Sequence, residues 1–157
     1  MKYTIMALML TIFVSCNQNN GFEYTTPDTT DYTAANDKEI TDYIAANKLT
    51  ATKTESGLYY VMTTEGTGAN PTATSNVTVA YKGYYTSGKI FDQSADTGIT
   101  FGLQQVIKGW TEGIPYFKEG GKGMLLIPSH LGYGSSTRNG IPGGSVLLFD
   151  IHLIAIK

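Results

Sequence analysis

The sequence predicts an α+β domain with one antiparallel sheet and one short helix packed against it. Three observations carry that prediction. Segments rich in strand formers recur between Gly57 and Lys157, separated by turn residues. Within that span only Gln105 to Ile114 has helical character. The composition, with 18 Gly and 11 Tyr among 157 residues, suits strands and tight turns better than a helical bundle. Because a sheet must bury one apolar face, the helix is expected to cover it.

In chain order, the first element is not part of that fold. "MKYTIMALMLTIFVSC" has a charge at Lys2, an apolar run from Tyr3 to Val14, then Ser15 and Cys16. The run is too short for a comfortable membrane span and fits a signal-peptide core. A small residue before Cys resembles the lipobox of bacterial lipoproteins, with Phe13 where Leu is commonest. The resemblance implies a lipoprotein signal segment over residues 1–16, with Cys16 lipidated and becoming residue one of the mature chain, and a domain held at the bacterial cell envelope outside the cytoplasm. As the only cysteine, Cys16 has no partner for an internal disulfide. Residues 17–35 are polar and poor in aliphatics, and read as a flexible tether.

Residues 36–50 change rhythm. Asn36 followed by Glu39 matches a capping box, and Ile40, Tyr43 and Ile44 share one helical face. A single short stripe of this kind usually serves burial on its own domain, and a dimerisation arm is the alternative. "GLYYVMTTEG" reads as a strand. In "NVTVAYKGYYTSGKIFD", Val77, Val79 and Tyr81 alternate with Thr78 and Ala80, and Ser87-Gly88 signals a turn before Ile90. "GKGMLLIP" and "SVLLFDIHLIAIK" are two further strands, joined by the Gly- and Ser-rich loop "SHLGYGSSTRNGIPGG". Alternation turns His152 toward solvent.

Several classes of chemistry are excluded. The net charge of -2 argues against nucleic acid. Two histidines, His130 and His152, and one cysteine do not make a metal site, and no cofactor motif is present. Ser129 and His130 are adjacent, where triad partners rarely face each other, and no nucleophile elbow occurs. "GTGANP" lacks the Lys and the helix of a P-loop. What remains is aromatic and aliphatic residues beside turns and loops. Trp110, the only tryptophan, raises the question whether it fills core or floors a site.

Those residues carry a resemblance. Tyr81-Lys82-Gly83 followed by Phe91-Asp92, then "VIKGWTEG" at 106–113, "IPSHLGYG" at 127–134 and "LLFD" at 147–150 stand in order at compatible spacing. Together they resemble the FKBP family of peptidyl-prolyl isomerases across residues 57–157. The resemblance implies a twisted antiparallel sheet wrapped around the short helix, and an apolar cleft that binds the twisted X-Pro amide with no cofactor or metal. It implies that Trp110 is both core and floor. By motif, Tyr81, Phe91, Asp92, Ile107, Trp110, Tyr133 and Phe149 carry the activity, and Val106, Ile99, Phe101 and Ile141 bind substrate. The Ile107 N–H and the Tyr133 hydroxyl would hold ligand carbonyls, and the Tyr81 hydroxyl would anchor Asp92. Proline-containing polypeptides are the implied partners, with macrolides as candidate ligands, in a monomer or weak dimer.

The sequence departs from the family in two places. The segment "QSADTGITFGL" is compact, and Ile99 stands where many members carry a pocket aromatic. In the long loop Gly143 and Gly144 follow Pro142, which predicts a mobile loop with altered activity and sequence preference. Three functions compete: an isomerase of exported proteins, a prolyl-peptide binding module without turnover, and a purely structural lipoprotein role. The retained cleft aromatics favour the first.

Overall fold

The computed structural model describes residues 28–157, so Cys16 and the rest of residues 1–27 lie outside the described residues. The chain runs α1 (Thr33–Ala46), β1 (Thr52–Lys53), β2 (Tyr59–Thr64), β3 (Asn76–Tyr84), β4 (Ile90–Gln93), β5 (Ile99–Gly102), α2 (Lys108–Gly113), β6 (Lys122–Ile127) and β7 (Leu147–Ile156). The strands form one antiparallel sheet in the order β1-β2-β6-β7-β3-β4, with β5 also pairing β3. The class is the one the patterning predicts.

β7 is central, hydrogen-bonded to β6 on one side and β3 on the other. Its alternation decides the layering. Leu147, Phe149, Ile151 and Leu153 face α2, while Leu148 faces α1. On the α2 side they join Val79, Leu125, Ile127 and Trp110 in the main core. On the other side Tyr59, Val61, Leu126 and Leu148 pack around Ile40 of α1.

Glycine sets how closely α2 lies on the sheet. A Cβ at Gly109 would stand 2.6 Å from Ile127, and one at Gly113 2.7 Å from Leu125. Both residues lie on one helical face, four apart, and let backbone meet side chain. Length decides the rest. A helix of 6 residues is about 9 Å long, whereas a strand of 10 residues extends about 33 Å. So α2 covers only part of its face, and the uncovered apolar remainder becomes a cleft.

The N-terminal region differs from the sequence reading in three ways. The helix begins at Thr33 and ends at Ala46, instead of spanning 36–50. Residues 28–35, expected as tether, belong to the folded unit: 33–35 are helical, and the Ser135 hydroxyl donates to the Asp28 carbonyl. Asn36 does not cap. It sits one turn inside, 2 % exposed, with its side chain turned to the domain. Glu39 reaches no cap either; it accepts from the Thr86 hydroxyl. The helix ends in a Schellman arrangement. Leu49 N–H donates to the Ile44 carbonyl and Lys48 N–H to the Ala45 carbonyl, with Lys48 in the left-handed region at φ 53. The apolar stripe of α1 packs on its own sheet, the burial role favoured above.

β1 and β5 are strands with no counterpart in the sequence reading. β5 lies in the compact segment after Asp92, where only four residues pair before the chain turns into a short 3-10 segment.

Candidate functional site

A cleft of about 820 Å³ opens beside α2. Its walls begin with Gly83. A Cβ there would stand 2.7 Å from the Phe149 ring and 2.8 Å from Phe91. The glycine of the Y-x-G motif thus makes room for two rings, set edge to face at 5.5 Å and 88°. Trp110 meets Phe149 at 5.1 Å and 82°, and Tyr81 meets Trp110 at 5.0 Å and 84°. Each such pair contributes about 0.5–1.5 kcal/mol beyond its buried area. The rings therefore fix one another's orientation and the shape of the cavity between them.

Trp110 is 5 % exposed and lines the cleft. Its indole N–H is buried without a hydrogen-bond partner among the described residues, so its contribution to the cavity is apolar. Phe101, brought in by β5, tilts against it at 5.3 Å, and Ile99 lies on the rim, half exposed. The aromatic surface at this corner comes from Phe101.

The polar groups are few and fixed. Tyr81 donates its hydroxyl to Asp92 Oδ2 at 2.6 Å. Burial, then this hydrogen bond, push the Tyr81 hydroxyl well above its ordinary value, so it stays a donor through the neutral range. Burial likewise raises Tyr133, with the Asp92 charge adding to it. Ile107 occupies the position before α2 in an extended conformation, and its carbonyl starts the helix by accepting from Trp110 and Thr111. Among the described residues its own N–H meets no backbone acceptor. Thr111 donates to the Leu103 carbonyl at 2.6 Å, tying α2 to the end of β5.

Of the residues picked out from sequence, Tyr81, Phe91, Asp92, Ile99, Phe101, Val106, Ile107, Trp110, Tyr133 and Phe149 line this one cavity. Ile141 does not. It is 6 % exposed and sits in the main core. Arg138 and Ile141 pair across the two-residue turn of Asn139 (φ 53) and Gly140 (φ 78), and Arg138 and Asn139 line the cleft. Sequence reasoning missed those two, with Gln105, Lys108 and His130, because isolated polar residues in a loop read as solvated. Their signal was adjacency to the motifs. Ser129 and His130 form no catalytic pair: Ser129 is buried, and His130 Nε2 lies 2.9 Å from the Ser56 carbonyl. His152 is half-buried on the α1 face of the sheet, not fully solvated. Among the described residues no cluster of three or more His, Cys, Asp or Glu could hold a metal ion.

Gly143 and Gly144 answer a steric need. A Cβ at Gly143 would lie 1.7 Å from the Ser135 carbonyl oxygen. One at Gly144 (φ +75) would lie 2.4 Å from the Tyr32 ring. This close packing argues against the mobile loop expected from the glycine pair.

A short helix seated by glycines under one sheet, beside an aromatic cavity with no nucleophile or metal cluster, describes a site built to bind an apolar group non-covalently. Residues 68–154 match the family model for FKBP-type peptidyl-prolyl cis-trans isomerases. The chain belongs to that family. It is similar to FkpA of Aeromonas hydrophila, 46% identical over 126 residues, covering 78% of this chain and 47% of the relative. It is also similar to FkpA of Escherichia coli strain K12, 42% identical over 126 residues, covering 78% and 46%. The chain thus spans about half the length of these curated relatives. The crystal structure of Escherichia coli FkpA superposes with a TM-score of 0.71 at 37% identity, over 80% of this chain and 61% of that one. A Pseudomonas syringae peptidyl-prolyl cis-trans isomerase superposes at 0.68 with 35% identity, over 82% and 98%.

Proposed function

We propose that this chain accelerates rotation about X-Pro bonds of polypeptides by binding the twisted amide in the aromatic cleft. The observation that carries the reading is the set of mutually oriented rings of Trp110, Phe149, Phe91, Phe101 and Tyr81 around one cavity. Family membership supports it.

The physical argument needs no covalent step. Amide resonance sets a barrier of about 18–20 kcal/mol. Twisting the bond removes that resonance and its charge separation. An apolar, water-poor cavity therefore favours the twisted form over the planar, polarised one. Only this difference in binding speeds rotation, and each factor of ten needs about 1.4 kcal/mol of it. In this reading the proline ring lies on Trp110. The Ile107 N–H and the Tyr133 hydroxyl orient the flanking carbonyls, and Tyr81 holds Asp92 at the cleft wall. The same cavity would admit macrolides. A working unit of one chain, or a weak dimer, is sufficient.

The test follows cis-to-trans relaxation of short X-Pro peptides with the full-length chain and with Trp110→Leu. The expected outcome is acceleration by the parent and a loss of at least about tenfold in kcat/KM in the variant. No acceleration by a folded parent would leave a prolyl-peptide binding module as the function.

The N-terminal sequence supports a location: Lys2, the apolar run and Ser15-Cys16 fit a lipid-anchored protein of a bacterial envelope, with the domain in the periplasm. Mass spectrometry of the chain expressed in a bacterial host should find the chain cleaved before Cys16, Cys16 diacylated as the new N-terminal residue, and the membrane fraction emptied by Cys16→Ser. An unmodified Cys16 would rule out the anchor.

A further inference from the structure

The long loop between β6 and β7 supplies the Tyr133 and Arg138 edge of the cleft. It is an excursion closed on itself. The Ser129 carbonyl accepts from the Gly132 and Gly134 N–H groups at 2.9 and 2.8 Å. The Gly134 carbonyl accepts from Gly144 N–H at 2.9 Å. These bonds leave two polar groups at the loop's ends, the buried Ser129 N–H and the partly buried Gly144 carbonyl. Both are taken by one side chain from outside the loop. Asn36 Oδ1 accepts from Ser129 N–H at 2.8 Å, and Asn36 Nδ2 donates to the Gly144 carbonyl at 2.8 Å. An amide suits both at once, because it carries an acceptor and a donor on separate atoms of a single planar group. Tyr32, one turn earlier, lays its ring against Gly144, and the Ser135 hydroxyl donates to the Asp28 carbonyl.

Asn36 touches no cleft atom of its own; it closes the loop that carries Tyr133. We propose that Asn36 is a positioning residue for the cleft, holding both ends of the loop at 129–144 so that Tyr133 and Arg138 keep their place at the cavity edge. This rests on the cleft reading above for its catalytic consequence, though not for its structural one. In consequence the segment before the sheet is part of the active architecture, and the orientation of α1 bears on turnover.

The experiment compares the full-length parent with Asn36→Asp, Asn36→Ala and Tyr32→Ala. Aspartate keeps the acceptor for Ser129 N–H and loses the donor for Gly144, so it frees one end. Alanine frees both. Tyr32→Ala leaves Asn36 in place and uncovers Gly144. Amide exchange is followed separately in the loop and in β6 and β7. The expected result is exchange about fivefold faster in the loop for Asn36→Asp, the equivalent of one lost hydrogen bond. Asn36→Ala should exceed it and Tyr32→Ala fall short of it, with β6 and β7 protected throughout. In kinetics Asn36→Asp should raise KM more than it lowers kcat. Its effect should shrink in a Tyr133→Phe background, because both then act on the same contact.

Unchanged loop exchange in all three variants overturns the proposal. So does a uniform loss of protection in loop and strands alike, since Asn36 would then only hold α1 to the sheet. If Tyr133→Phe by itself leaves kcat/KM unchanged, the cleft reading loses Tyr133, and the exchange result alone decides the role of Asn36.

Discussion

On the α1 face of the sheet, Tyr59, Val61, Leu126 and Leu148 meet Ile40 with Tyr43 and Ile44 beside it in a packed layer. On the α2 face, Leu125, Ile127 and Phe149 meet a helix of 6 residues, and a cavity of about 820 Å³ begins where the helix stops. The same strands build both. The difference lies in the cover: a 14-residue helix on one side, and less than half of that on the other. The core under α1 is largely aliphatic. The open face is walled by aromatic rings that hold one another edge to face, which keeps an unfilled apolar surface from collapsing. Stability and binding are thus drawn from opposite sides of one sheet.

The largest expected effect tests that division directly. Leu126 is fully buried on the α1 face. Leu126→Ala should cost about 2–5 kcal/mol in denaturant unfolding, with kcat/KM unchanged within about twofold at temperatures where the domain stays folded. Trp110→Leu should do the reverse, losing activity out of proportion to stability. If Leu126→Ala lowers activity as much as it lowers stability, the two faces are not separable.

A smaller effect sharpens the comparison through pH. His152 lies on the α1 face directly opposite Lys122 of β6. Burial, then the Lys122 charge, hold its pKa below the ordinary value of 6.5. The unfolded chain therefore binds the proton more readily than the folded one. Stability should be full above about pH 6.5 and fall as pH drops through the lowered folded value. His152→Gln should flatten that acid limb in unfolding curves recorded across pH. A limb that persists unchanged would place the titrating group elsewhere. The X-Pro rate constant of the folded domain should be insensitive to the substitution.

Much of this architecture is legible in the sequence where its cause is local. Alternation at Val77, Val79 and Tyr81 marks β3, and the helical character of Gln105 to Ile114 marks the short helix that carries Trp110. The four motifs place eight cleft-lining residues, and Ile99 and Phe101 follow from the segment between the first two motifs, because each motif keeps its residues within a few positions of one another in both chain and space. What was illegible has causes remote in sequence. Asn36 followed by Glu39 imitates a capping box, yet its partners lie 93 and 108 residues away, at Ser129 and Gly144. No local pattern encodes that. β5 pairs over only four residues, too few for alternation to register. Ile141 was misplaced because it stands in an irregular loop, where no strand or helix period tells an inward position from an outward one. The glycine pair at 143–144 suggested freedom in the sequence, where the folded chain uses it for contact.

The position of β7 in the sheet has a consequence for the order in which the domain can be completed. β3 and β6 do not pair with each other; the half of the sheet that holds β3, β4 and β5 is joined to the half that holds β1, β2 and β6 through Leu147–Ile156. A polypeptide delivered N-terminus first, by a ribosome or through a membrane pore, therefore holds two unsatisfied strand edges, and half of each hydrophobic layer, until those last residues arrive. Every pairing that spans the middle of the sheet is made in one late event. A protein whose proposed task is to hasten the maturation of other chains is, by this topology, among those that must wait for their own final segment.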